Sequence, residues 1–213
     1  MLNLGILISG RGSNMEAILK AVRRKKIPAR PALVLSNKPD AAGLAIAEKL
    51  GVRTAVVESR GMSRAEYDRK AMAALAECGV TPRNGLVCLA GFMRIIGPQF
   101  VKRYKNRILN MHPALLPAFP GLDAQAQALR YGAKYTGCTV HFVDAGVDTG
   151  PVIAQAAVKI MPEDTADTLS RRILRQEHRI YPMAVELFAR KRIRISGKKA
   201  IVKSPARQKN KRL

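Results

Sequence analysis

From Leu2 to Gly91 the chain alternates short apolar runs with amphipathic segments, and this alternation narrows its possible folds more than any other feature. "LNLGILIS", "RPALVLSN", "VRTAVVE" and "GLVCLAG" read as strands, the first and fourth apolar enough to be buried on both faces. Between them lie three helix-like segments. "MEAILKAVRRKK" carries Ile18, Leu19 and Val22 on one stripe, with Asn14 as its expected N-cap. "DAAGLAIAEKLG" closes on Gly51, and "SRAEYDRKAMAALAECG" opens with Ser63 and Glu66 in capping-box spacing and ends at Gly79. A βαβαβαβ rhythm of this kind predicts an α/β fold: an open, mostly parallel, doubly wound Rossmann-like sheet of about seven strands flanked by helices.

"RILNMH" is the next expected strand, and "YTGCTVHFV" and "GPVIAQAAVKI" are longer ones, partly antiparallel. The segment "TADTLSRRILRQEHRIYPMAVELFAR" then forms a long helix with Leu169, Ile173, Ile180 and Val185 among its apolar positions. Pro182 within it predicts a kink or a break. One domain over residues 1–192 is expected, followed by a basic, partly disordered tail over 193–213.

The tail contributes to an unusual charge. The chain has 38 Lys and Arg against 15 Asp and Glu, a net +23, and eleven of the basic residues lie from Arg190 onward with no acid among them. That balance suits an anionic partner: phosphorylated metabolites, polyglutamylated cofactors or nucleic acid. A nucleic-acid contact through the tail is the weaker reading, because aromatics are only 5%, Trp is absent and no aromatic-rich basic motif occurs. Three scattered cysteines make neither a disulfide framework nor a zinc site and read as reduced thiols of a cytoplasmic protein. The opening "MLNLGILISGRGSN" lacks the basic front and cleavage pattern of a signal peptide and is too short to span a membrane.

Four stretches carry chemistry. "SGRGSN" joins the first strand to the first helix, where glycines permit a tight turn and a helix N-terminus offers free N–H groups to an anion. It is neither a Walker loop nor a dinucleotide fingerprint, so it reads as a monophosphate site or as a plain βα turn. "AGFMRIIGP" is either core at a helix start or an apolar slot for a flat heterocycle at strand carboxyl ends. In "NMHPALLPAFPG", Asn110 and His112 are two residues apart on a strand end and so face the same way, before a loop stiffened by three prolines. "VHFVDAGVDTGPVI" supplies His141, Asp144 and Asp148; Asp148 either orients and charge-stabilises an imidazole or caps a turn.

Together with "SNKPDAAGL", "SRAEYDR" and "QEHRIYP", these segments, in register from about Leu2 to Ala189, resemble the phosphoribosylglycinamide formyltransferases of purine biosynthesis. The resemblance implies the formyltransferase fold and transfer of a formyl group from 10-formyltetrahydrofolate to the amine of glycinamide ribonucleotide (GAR), without a metal. By resemblance Asn110, His112 and Asp148 are catalytic, and Gly12, Ser13, Asn14 and Glu177 contact GAR. Arg64, the segment Met93, Arg94, Ile95 and Ile96, Asn110, and the loop Asp144, Ala145, Gly146, Val147 and Asp148 match folate-binding positions. The chain departs from the family pattern at Asp123, Ala124 and Gln125, where some members carry histidines, and at Leu174, three residues before Glu177, where the resemblance implies a polar substrate contact. The expected partners are these small molecules and no membrane, with the protein a monomer or a homodimer. Formyltetrahydrofolate hydrolysis is the enzymatic alternative, since the Asn, His and Asp trio identifies formyl chemistry better than it identifies the acceptor.

Overall fold

Strand β1 (Leu2–Ile8) is at the centre of the molecule, with Leu4, Ile6, Leu7 and Ile8 fully buried. Apolar side chains on both faces of a strand require a covering layer on each side. The computed structural model describes residues 1–203 and supplies those layers. A seven-stranded sheet runs in the order β3-β2-β1-β4-β5-β6-β7, built from β1, β2 (Ala29–Ser36), β3 (Thr54–Val56), β4 (Gly85–Leu89), β5 (Ile108–His112), β6 (Tyr135–Phe142) and β7 (Val152–Lys159). The first five are parallel; β6 pairs antiparallel with β5, and β7 antiparallel with β6, in agreement with the expectation for the two long strands.

On one face, helices α1 (Ser13–Arg23) and α2 (Gly43–Lys49) and the 24-residue α6 (Ala166–Ala189) cover a core of Leu4, Ile6, Ile18, Leu109 and Val140. Helices α3 (Arg64–Glu77) and α4 (Pro98–Arg103) cover the other face over Leu7, Leu33, Val87 and Ile108. A short α5 (Ala124–Tyr131) follows the loop after β5. Ser63 caps α3 by accepting the Glu66 N–H, and Gly51 and Gly79 follow α2 and α3 with φ of 75° and 76°, the left-handed geometry that glycine adopts without strain.

Three expectations change. The N-cap of α1 is Gly12, not Asn14, whose side chain instead points into the interior. Of the kink or break expected at Pro182, the break does not occur: helix α6 continues through it, with Ile180, Tyr181, Ala184 and Val185 packed into the core on either side. The region after residue 192 is not all irregular tail: β8 (Ile193–Ser196) and β9 (Lys199–Val202) form a hairpin turning at Gly197. Ile193 and Ile195 alternate with polar residues and, with Ala200, pack against the edge of the core, a period-2 signal that the charge run concealed. The expected disorder of the remaining tail falls on residues 204–213, outside the described residues.

Tyr181 ties α6 to the sheet. Its buried hydroxyl lies 2.9 Å from the carbonyl of Leu89, the last residue of β4, and 3.0 Å from that of Leu109 in the neighbouring β5. Tyr181→Phe leaves the ring in place but removes that donor, and is expected to cost about 1–3 kcal/mol in urea unfolding. Unchanged stability would show the hydroxyl to be dispensable.

Candidate active site

The carboxyl ends of the parallel strands lie at one edge of the sheet, where open α/β folds hold their ligands. Strand β5 delivers Asn110 and His112 there on one face, as their spacing predicts. Its antiparallel neighbour β6 pairs His141 with Asn110 and Thr139 with His112, so both of those side chains join the same face. The loop after β6 folds back over this face and brings in Asp148. Gly150 makes the return possible: a Cβ there would overlap the Phe142 carbonyl oxygen.

Asp148 is the hub of the cluster. Its Oδ2 lies 3.3 Å from His112 Nδ1 and accepts the Gly121 N–H at 2.9 Å. Its Oδ1 lies 3.5 Å from His141 Nε2 and 3.4 Å from Asn110 Nδ2. Burial alone would push its pKa up, but the hydrogen bond to His141, the Gly121 N–H and the charges of His112 and His141 outweigh burial and bring it down to about 2. Asp148 is therefore a carboxylate at any physiological pH.

His112 is 3% exposed, and both of its ring nitrogens face oxygen acceptors: Nδ1 the Asp148 carboxylate and Nε2 the Phe119 carbonyl at 2.8 Å. Only an imidazolium donates to both. His141 is equally buried; its Nδ1–H donates to the Phe142 carbonyl at 2.9 Å, and Nε2 sits 3.2 Å from Asn110 Nδ2. The arrangement is an anion holding two imidazoles and an amide, suited to stabilising negative charge and moving a proton. Among the described residues no group of three or more His, Cys, Asp or Glu could hold a metal ion. Burial pushes the Cys88 and Cys138 thiols up to about 12, so neither is a ready nucleophile.

The other expected site residues fall into three groups. At the end of β1, Gly12 takes a left-handed φ of 70° and Ser13 opens α1, with the free N–H groups of that helix beyond. Asn14 is turned inward, and its Nδ2–H donates at 2.6 Å to Oε2 of Glu177, itself buried on α6; burial raises the Glu177 pKa against the opposing hydrogen bond. After β4, Met93 and Ile95 are 70% and 59% exposed while Ile96 is buried, so the segment is a half-open apolar ledge rather than uniform core. Arg94 turns back, donating to the carbonyls of Ser59 (3.4 Å) and Met62 (3.0 Å) and stacking 4.8 Å above Tyr67. Arg64 is exposed in the first turn of α3. In the β6–β7 loop, Asp144 Oδ1 accepts the Gly146 N–H (3.1 Å) and the Thr149 hydroxyl (2.7 Å), while Ala145 and Val147 are exposed. A groove of about 780 Å³ opens beside Val147 and Asp148 and extends to Lys198 and Lys199 of the hairpin turn, without reaching the 93–96 ledge.

Of the positions departing from the family pattern, Asp123 precedes α5 with φ of 54°, Ala124 is buried, and Gln125 and Leu174 are half-buried. The sequence does not join His141 to Asn110, His112 and Asp148, yet it contacts Asn110 and Asp148. Thr139 and Gln155 went unnoticed: the Thr139 hydroxyl donates to the Ala114 carbonyl and accepts the Leu116 N–H, and Gln155 donates to the Leu116 carbonyl, bracing the loop beyond His112. Their signal was the strand alternation that puts Thr139 and His141 on one face.

The chain is similar along most of its length to several known proteins. The chain is 46% identical over 187 residues to the trifunctional purine biosynthetic protein adenosine-3 of Drosophila melanogaster; the match covers 86% of this chain and 14% of that protein. It is 43% identical over 195 residues to phosphoribosylglycinamide formyltransferase of Escherichia coli (strain K12), with 91% and 90% covered. The fold superposes on glycinamide ribonucleotide transformylase 1 from Symbiobacterium toebii with a TM-score of 0.92 at 48% identity, covering 96% of this chain and 95% of that one. The chain thus spans a small part of its trifunctional relatives and nearly the whole of the bacterial ones. The formyl transferase family matches residues 2–185, and this chain, with its polar cluster at the end of β5, belongs to that family.

Proposed function

We propose that the protein transfers the formyl group of 10-formyltetrahydrofolate to the amine of GAR, giving formyl-GAR and tetrahydrofolate. The observation that carries this reading is the convergence of Asn110, His112 and Asp148 at the carboxyl end of β5, in a chain of the formyl transferase family. The names and coverage of the bacterial relatives support GAR as the acceptor.

As the GAR amine attacks the formyl carbon, negative charge builds on the formyl oxygen. His112 as imidazolium and an N–H of Asn110, released from its long 3.4 Å contact to Asp148, donate to that oxygen. Asp148 balances the imidazolium charge and draws the proton from the attacking amine toward the departing folate nitrogen. Gly12, Ser13 and the start of α1 hold the ribonucleotide phosphate, while Asn14 and Glu177 set the floor beneath it. Arg64, the ledge from Met93 to Ile96 and the loop from Asp144 to Asp148 hold the folate. Fixing two large substrates against each other turns a bimolecular step into an effectively intramolecular one and supplies much of the acceleration. Residues 1–192 act as the formyltransferase domain. The reading places the enzyme in the cytoplasm with unpaired cysteines, and no described helix is long and apolar enough to cross a membrane.

The test is acceptor dependence. Protein given 10-formyltetrahydrofolate is expected to release tetrahydrofolate only when GAR is added. Equal release without GAR would make it a hydrolase.

A further inference from the structure

Four residues just beyond four adjacent strands form a continuous hydrogen-bonded row in sheet order. Ser59 follows β3, Asn37 follows β2, Ser9 follows β1 and Met93 follows β4. The Met93 N–H donates to Ser9 Oγ at 2.8 Å, the Ser9 hydroxyl donates to Asn37 Oδ1 at 2.6 Å, and Asn37 Nδ2 donates to Ser59 Oγ at 3.2 Å. Backbone rungs run alongside: Ser9 N–H to the Gly91 carbonyl at 3.1 Å and Ser59 N–H to the Asn37 carbonyl at 3.3 Å. Arg94 closes the far end by donating to the Ser59 carbonyl. Ser9 and Asn37 are each 7% exposed, so breaking the row strands buried polar groups.

Two neighbouring members of this row, Ser9 and Met93, border different substrate sites. Ser9 immediately precedes the glycine loop read as the ribonucleotide phosphate site, and Met93 opens the ledge read as the folate site. With one hydroxyl, Ser9 can serve both sides at once: it accepts from the folate ledge and donates to Asn37. The loop is further locked by the Gly43 N–H donating to the Gly10 carbonyl at 3.0 Å, and a Cβ on Gly12 would press on the Gly43 backbone, so movement at Ser9 is transmitted to the phosphate loop.

We infer that Ser9 and Asn37 are positioning residues that couple the two substrate sites, so that filling the folate ledge pre-sets the ribonucleotide loop and the reverse. This inference rests on the function proposed above. The coupling is a single free energy shared by both ligands, and each must change the affinity of the other by the same factor. Direct contact between the two ligands adds to that factor but is the same in every variant, so a change caused by Ser9 isolates the protein's share.

The experiment is calorimetric titration of GAR into the protein with and without saturating tetrahydrofolate, in the wild type and in Ser9→Ala, Ser9→Thr and Ser59→Ala. The ratio of the two dissociation constants measures coupling. It is expected to fall by about 5-fold or more in Ser9→Ala and in the same direction in Ser59→Ala, at a half-buried loop position. Ser9→Thr retains the hydroxyl and is expected to keep the ratio. A ratio unchanged from wild type in both alanine variants, even with a lowered Tm, overturns the coupling and leaves Ser9 a merely structural residue. Failure of the wild type to bind either ligand overturns the proposed function and the coupling with it.

Discussion

His112→Ala is expected to lower kcat by about 10³-fold while leaving the fold and the binding of both substrates largely intact. The size of the effect follows from the donor's position. Its two nitrogens are held by the Asp148 carboxylate at 3.3 Å and the Phe119 carbonyl at 2.8 Å, so the ring is oriented before substrate arrives and spends little free energy reorganising. In the proposed reaction Nε2 exchanges the Phe119 carbonyl for the formyl oxygen, one acceptor for another, while Nδ1 stays on Asp148. Alanine removes the charge and both hydrogen bonds but leaves β5 paired on either side with β4 and β6. Steady-state rates with GAR saturating, together with circular dichroism and GAR titration, check the prediction. A kcat within tenfold of wild type would remove His112 from the chemistry.

Much of this architecture is written in local pattern. Apolar runs of strand length between capped, periodic segments make the parallel part of the sheet readable, because each βα unit has its own turn and cap residues, as Ser63 and Gly79 show for α3. The two-residue spacing of Asn110 and His112 is likewise local, and so their shared direction is readable too. What was not readable depends on distance along the chain. Asp148 is 36 positions from His112, and only the return of the β6–β7 loop across the face of β5 brings the two together. The row from Ser59 to Met93 needs the order of four strands before any of its contacts can be imagined. Asn14 misled for the opposite reason: it has the residue type of a cap at a helix start, but the buried Glu177 on α6, 163 positions away, competes for the same amide and wins. In the hairpin after α6, the density of Lys and Arg hid an alternation whose apolar members, Ile193 and Ile195, decide the structure.

Asp148→Asn is expected to reduce turnover by about 10²- to 10⁴-fold, and it carries a pH signature that distinguishes charge from shape. Asparagine keeps the volume and one acceptor oxygen, so the Gly121 N–H retains a partner and the loop can close. What disappears is the negative charge between two buried imidazoles. In the folded protein Asp148 titrates at about 2, below its ordinary value near 4, so folding favours its ionised form. The sign follows directly. The carboxylate stabilises the fold fully above about pH 4, and this stabilisation is lost as the pH falls through the folded value of about 2. Wild type is therefore expected to be more stable than Asp148→Asn at neutral pH, and the gap should narrow from about pH 4 downward as protonation makes the two side chains alike. Urea unfolding of both proteins between pH 2 and pH 7 checks this. A stability gap independent of pH would assign the defect to packing rather than charge. A normal turnover in the variant would show that the imidazoles work without their carboxylate, and the proton route through Asp148 would have to be abandoned.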